Sequence, residues 1–150
     1  VASLNITPDQ LHRVPTLASL IEREAGNANE RREIAAILNK RAKNNWALQV
    51  DATIQYAIST SRCRIRICDW WPKSLVKQDF QIISPYNTYK YQGLPPGPIG
   101  NPGKASLEAA TKPKDTKYWF YLHDPEGKIH YAVTVEEHNQ NVCTYLKKDC

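Results

Sequence analysis

The chain has 150 residues, 41% of them hydrophobic and 23% charged, a balance that argues against intrinsic disorder and is enough for one globular core. No apolar run approaches the roughly 20 residues that a bilayer crossing requires, so no transmembrane helix is expected within it. The 20 Lys and Arg against 15 Asp and Glu leave a net charge of +5, which favours a polyanion (nucleic acid, an acidic membrane, a carboxylate-rich wall) without choosing among them.

The chain begins at Val1, holds no Met and shows no signal peptide. It is therefore read as residues 1–150 of a longer protein, one domain with any anchor or export signal upstream. Residues 16–25 (TLASLIEREA) follow Pro15 and are predicted helical. At about 100° per residue Leu17, Leu20 and Ile21 share an apolar face, and Glu24 falls on it. Glu22 points away and is expected to be solvated. Gly26 and Asn27 break the helix, and Asn27 with Glu30 resembles a capping box opening a second helix. Its stripe is Ile34, Ile37 and Leu38, continued by Arg41. A third helix is expected from Asp51 as N-cap through Ile54 and Ala57.

Residues 61–67 (SRCRIRI) alternate, with Arg62, Arg64 and Arg66 on one side, and predict a short edge strand. The aromatic pair of Asp69-Trp70-Trp71-Pro72 follows in a loop. Gly and Pro dominate residues 93–103, which predicts an ordered, non-repetitive loop. Residues 104–111 read as a helix stopped before Pro113. Tyr118–Leu122 and Lys128–Val133 flank Asp124-Pro125-Glu126-Gly127, a hairpin signal. Thr134 and Glu137 form a capping box for a last helix with Val135, His138, Val142 and Leu146 on one side. Lys147 and Lys148 suit its C-terminal dipole. The sum is one α+β domain.

Four Cys, at 63, 68, 143 and 150, allow three connectivities. Cys143 and Cys150 lie about 10 Å apart on a helix, too far for a bond while that segment stays helical. Cys63 and Cys68 need a turn between them, since an extended chain separates them by about 16 Å. The pairing stays open, and neither Cys nor His is spaced for zinc, so no metal and no cofactor are expected.

A carboxyl group on an apolar helix face resists ionisation, which raises its pKa toward the range a general acid needs. Glu24 is thus a candidate acid; the plainer alternative is a buried Glu paired with Arg41 or another cation. A hydrolytic glycosidase usually needs a second carboxylate about 5–10 Å away, and Asp51 is the candidate, although an N-cap already gives it structural work. Trp70, Trp71, Tyr86 and Tyr89 suit stacking on sugars or bases, or plain packing. No serine-hydrolase, phosphate-loop or H-E-x-x-H motif is present. The arginine-bearing strand beside Trp70 invites a nucleic-acid reading, but no fold signature supports it, and no nucleic-acid partner is expected.

Three blocks together, LASLIEREAGNANERREIAAILNKR (17–41), LQVDATIQYA (48–57) and SPYNTYKYQGLPPGPIGNPGKASLEAA (84–110), with a weaker fourth at 118–139, resemble the catalytic domain of the MltG/YceG-like endolytic murein transglycosylases. The resemblance implies a lysozyme-like, mixed helical and β domain acting on peptidoglycan at the outer face of the bacterial cytoplasmic membrane. It implies cleavage of the MurNAc–GlcNAc β-1,4 bond without water, closing the MurNAc C6 hydroxyl onto C1 to leave a 1,6-anhydro end. One glutamate then serves as acid and afterwards as base, so a second catalytic carboxylate is not required.

By the resemblance, Glu24 matches the catalytic glutamate of the family's E-K-E-[AT] motif. Gln49, Asp51 and Thr53 match L-Q-x-D-P-T, and Tyr86, Asn87, Thr88 and Tyr89 match Y-N-T-Y; these are expected to line the glycan cleft, with the 93–103 loop as a wall. Ala52 replaces the family's Pro, and Lys40-Arg41 stands where an Asn-Arg pair is usual. Residues 59–74 match no family pattern. Glycan strands are the expected substrate, cell-wall synthases are candidate partners, and any membrane attachment is expected only through an N-terminal anchor outside this chain. The competing readings are a muramidase-type hydrolase of the same bond, using Asp51 or a held water, and a non-catalytic peptidoglycan-binding module.

Overall fold

The structure, a computed structural model, describes residues 7–64 and 67–147. Three long helices come first: α1 (Gln10–Glu24), α2 (Ala28–Lys43) and α3 (Asp51–Arg62). A 3-10 turn at Asp79–Gln81 and a long irregular stretch lead to α4 (Lys104–Thr111). The hairpin β1 (Phe120–His123) and β2 (Ile129–Ala132) follows, then α5 (Val135–Asn141), which widens into a π-helical turn over Val142–Lys147. The result is an α+β fold with a two-stranded antiparallel sheet, in which Tyr121 faces Tyr131 and Leu122 faces His130.

Helices α1, α2 and α4 pack on one another around Leu17, Leu20, Ile21, Ile34 and Leu38, all essentially inaccessible to solvent. Leu48 and Val50, just before α3, and Ile99 of the Gly/Pro loop close the same core. The loop is ordered because α1 holds it. Ile99 N–H donates to the buried Ser19 Oγ at 3.0 Å, and Gly103 N–H donates to Glu22 Oε2 at 3.1 Å.

Glu22 keeps about a third of its side chain exposed (34%), as the helical-face reading expects, but the Gly103 bond shows it is not free. Its carboxylate also accepts from Ser106 Oγ and lies 3.8 Å from the Arg31 guanidinium, and these contacts hold its carboxyl below the usual range. Helical periodicity sees only the face a residue takes, not the helix that a later segment lays across it.

Helix α1 starts at Gln10, six residues before the predicted start, and runs through Pro15. Proline removes one helical N–H, whose acceptor would have been the carbonyl of Leu11. Leu11 lies on the exposed side of α1, where a missing donor costs least, and the helix continues. The α2 start is as expected in its cap, with Asn27 Oδ1 accepting from Asn29 and Glu30 N–H, but Glu30 reaches back to Gly26 N–H at 2.7 Å.

The edge strand over 61–67 does not form. Helix α3 continues to Arg62, Cys63 and Arg64 turn, and Ile65 and Arg66 lie outside the described residues. A disulfide joins Cys63 to Cys68 with their Cα atoms 5.5 Å apart, a closure that an extended run cannot make. Cys150 and Lys148 lie outside the described residues. The capping box at Thr134 and Glu137 forms as read. Beyond it, His138, Val142 and Leu146 recur every fourth residue, a spacing the wider π turn keeps on one side.

Candidate active site

Glu24 is the last residue of α1, and its carboxylate enters a cavity of about 320 Å³ beneath the hairpin. The cavity is lined by Glu24, Gln49, Asp51, Tyr89, Tyr121 and His123, with Arg41 and His138 contributing from deeper helices. Tyr121 Oη donates to Glu24 Oε2 at 2.7 Å. Burial pushes the Glu24 carboxyl up to about 6; the Tyr121 hydrogen bond opposes that rise, the Asp51 charge adds to it, and His123 and Arg23 pull it back. At pH 7 about one in ten such groups carries a proton, far more than of a carboxyl at its ordinary value, and a general acid must carry one.

The alternative pairing of Glu24 with Arg41 does not occur. Arg41 is buried and spends its donors on main-chain carbonyls: Nε to Trp119 O at 2.7 Å and Nη1 to Leu48 O at 2.9 Å. It thereby ties α2 to the strand carrying Tyr121 and to the residue preceding Gln49.

Asp51 is not the N-cap of α3. Val50 takes that position, and Asp51, one residue into the helix, accepts a hydrogen bond from Tyr89 Oη. The phenol is thereby held neutral to high pH, mainly by its burial and then by the Asp51 carboxylate. Gln49 beside it has φ of 54°, in the left-handed region that a side chain rarely adopts, and its side chain is exposed at the cavity mouth.

The remaining residues of the two matched segments stand behind the cavity. Thr88 and Thr53 are buried, with their hydroxyls 2.9 Å apart. Thr88 Oγ1 accepts from Val50 N–H at 3.0 Å and its carbonyl accepts from Gln49 N–H at 3.1 Å, so Thr88 fixes the strained Gln49 backbone. Asn87, fully buried, donates to the Phe80 and Ile82 carbonyls and accepts from Tyr89 N–H at 3.0 Å, which sets the tyrosine. Tyr86 packs on Tyr56, ring centroids 4.8 Å apart, and its hydroxyl abuts Gly97 of the loop. The sequence blocks thus divide into Glu24, Gln49, Asp51 and Tyr89 at the cavity and Thr53, Asn87 and Thr88 as its frame.

That division is testable without substrate. Thr88→Val keeps the shape but leaves the Val50 N–H unpaired in the core, which costs about 1–3 kcal/mol. Urea unfolding is expected to show a loss in that range; an unchanged midpoint would mean that Thr88 does not brace the segment.

Three cavity residues were not singled out from sequence: Tyr121, His123 and His138. Strand alternation puts Tyr121 and His123 on one face of the hairpin, but nothing local says that this face meets α1, 97 residues earlier in the chain. His123 Nε2 lies 3.2 Å from Glu30 Oε2 and so joins the start of α2 to the cavity wall. His138 stacks on Phe120, ring centroids 5.1 Å apart, and burial lowers its pKa.

The chain has known relatives in sequence and in fold. The profile of the YceG-like family matches residues 3–144. The chain is 39% identical over 136 residues to an endolytic murein transglycosylase of Bacillus subtilis, covering 91% of this chain and 35% of that protein. It is 32% identical over 147 residues to the endolytic murein transglycosylase of Streptococcus pneumoniae, covering 97% of this chain and 25% of that one. A crystal structure of a putative yceG-like protein from Listeria monocytogenes superposes with a TM-score of 0.74 at 37% identity, over 87% of this chain and 39% of that chain. The chain therefore spans about a third or less of the curated relatives it matches.

Proposed function

The chain belongs to the YceG-like family, and on that premise we propose that it is the catalytic part of an endolytic murein transglycosylase in which Glu24 is both acid and base. The observation that carries the reading is the Glu24 carboxyl, half-buried in a glycan-sized cavity, bonded to a phenol and poised near pH 6. Protonated Glu24 gives its proton to the oxygen between MurNAc C1 and GlcNAc C4, and that bond breaks with charge spreading over the MurNAc ring oxygen and C1. The resulting carboxylate takes the proton of the MurNAc C6 hydroxyl as that oxygen bonds to C1. Glu24 ends as it began, and the strand ends in 1,6-anhydro-MurNAc.

Asp51, Gln49 and Tyr89 bind and orient the sugars on either side of the bond, while Thr53, Asn87 and Thr88 hold those three in place. Tyr86 contributes through the loop wall. The domain works outside the cytoplasmic membrane, where its substrate is; an anchor upstream and cell-wall synthases as partners follow the same reading.

A second reading, hydrolysis of the same bond, is favoured by one observation: the Asp51 carboxylate lines the same cavity as Glu24. Mass spectrometry of purified peptidoglycan digested with this chain separates the two. Anhydro-ended fragments from the parent, absent with Glu24→Gln, are expected. Reducing ends would make it a hydrolase, and no fragments at all would leave a binding module.

Tyr121→Phe provides a pH test. The lost hydrogen bond favoured the carboxylate, so the Glu24 pKa is expected to rise above 6 and the alkaline limb of the kcat/KM profile to move to higher pH. A limb that stays in place would detach it from Glu24.

A further inference from the structure

Trp70 and Trp71 lie in a segment outside the blocks that carry the family resemblance, and several contacts brace it. The Cys63–Cys68 disulfide closes the chain just before it. Ser59 Oγ donates to the Trp70 carbonyl and Gln55 Nε2 donates to the Pro72 carbonyl at 2.8 Å, both from α3. Trp70 meets Tyr56 edge to face with ring centroids 6.0 Å apart, and the residue remains 40% exposed. The Arg23 guanidinium lies 3.9 Å from the centroid of the Trp71 ring.

These two tryptophans, Arg23, and Gly100 and Asn101 of the pinned loop, together with Ser19, Glu22 and Ile99, line a second, open cavity of about 350 Å³. A packed core leaves no such space beside two indoles, and an exposed indole held on a fixed backbone is a stacking surface. Arg23 immediately precedes Glu24, so the second cavity opens at the same final turn of α1 as the first. A flat apolar ring, a cation and an amide around one hollow match a pyranose, with its C–H face on the indole and its acetamido and hydroxyl groups on Asn101 and Arg23.

We propose that this cavity is a distal saccharide subsite, taking a pyranose ring of the same glycan strand whose bond is cut at Glu24 and so favouring long strands over short ones. The inference rests on the transglycosylase reading for the identity of the ligand. It makes the domain's endolytic choice a matter of stacking away from the chemistry, since a short fragment centred on Glu24 leaves the tryptophans empty.

The test uses the whole chain carrying Glu24→Gln, so that ligand is bound but not consumed. Calorimetric affinities are compared for peptide-free glycan strands and for a tetrasaccharide cut from them. Trp70→Ala is expected to reduce the preference for long strands roughly tenfold, with Trp70→Tyr restoring most of it. Gly100→Leu is a second, independent variant. A Cβ at Gly100 meets no atom within 4 Å and its backbone is not left-handed, so the fold accommodates it while the leucine fills the hollow. The same loss of preference is expected. If either folded variant keeps the parental preference, or weakens both ligands equally, the subsite is overturned while the transglycosylase reading stands. If the Glu24→Gln chain binds neither ligand and the parent releases no fragments, that reading fails and the subsite with it.

Discussion

Glu24→Gln is expected to lower glycan cleavage at least a thousandfold while leaving the protein as stable as the parent, or more so, at neutral pH. The activity loss follows from the double use of one group. A general acid or base contributes about a hundredfold to ten-thousandfold, and here the same oxygen would serve in both halves of the reaction. Glutamine can accept the Tyr121 hydrogen bond as glutamate does, so the loss is chemical and not a collapse of the cavity.

The stability gain follows from linkage. In the folded chain the Glu24 carboxyl is raised from 4.5 to about 6, so across that interval the folded state binds more proton than the unfolded state. Stability therefore falls as pH climbs through the interval. Below about 4.5 there is no cost; above about 6 the cost is complete and amounts to at most about 2 kcal/mol, less where solvent reaches the carboxylate. Gln does not titrate. Unfolding midpoints of the two proteins are expected to coincide near pH 4 and to separate in favour of Gln by pH 7.5. A variant that cleaves within tenfold of the parent removes Glu24 from the mechanism; one that cleaves poorly because it has melted shows itself in the same curves.

What the sequence told about this site depended on whether a residue's neighbours were close in the chain. Glu24 was legible because its half-burial is written in Leu17, Leu20 and Ile21, residues of its own helix. The caps at Asn27 and Thr134 were legible for the same reason. The proposed acid's actual partner, Tyr121, was not, since the hairpin's alternation fixes a face and not what that face meets. Asp51 looked like an N-cap by local rule, and a tyrosine from residues 84–91 claimed its carboxylate instead. The strand expected over 61–67 did not form: α3 takes its first two residues and the chain then turns into the Cys63–Cys68 disulfide loop, against an alternation of only seven residues. The family blocks put Thr53, Asn87 and Thr88 on the wall of the cleft, whereas the structure buries them behind the cavity, because a sequence match does not distinguish a residue lining a cavity from one holding the residue that does.

Arg41 is the position where this distinction has the largest thermodynamic consequence. Its side chain is 5% exposed, and its guanidinium joins two carbonyls, of Leu48 and Trp119, that belong to separate segments. Arg41→Met retains much of the volume and removes both donors. The buried Leu48 carbonyl left without a partner costs about 1–3 kcal/mol, and the half-buried Trp119 carbonyl adds less. Against this stands relief from burying a cation, a cost visible in the lowered Arg41 pKa. The penalty wins because the guanidinium stays charged at any working pH and two of its N–H groups already satisfy carbonyls that would otherwise lack a donor. A net loss of about 1–3 kcal/mol is expected in urea unfolding. Arg41→Lys should recover little of it, because a single ammonium lacks the fork that spans both acceptors. Cleavage should suffer separately. Leu48 precedes Gln49, and Trp119 lies two residues before Tyr121, so freeing both carbonyls loosens opposite walls of the cavity around Glu24. In conditions where the Met variant is still fully folded, its kcat is expected to fall at least tenfold. If it loses stability but keeps kcat, Arg41 is a strut of the fold alone; if it loses less than 1 kcal/mol, the two carbonyls have found other donors and the bracing role is wrong.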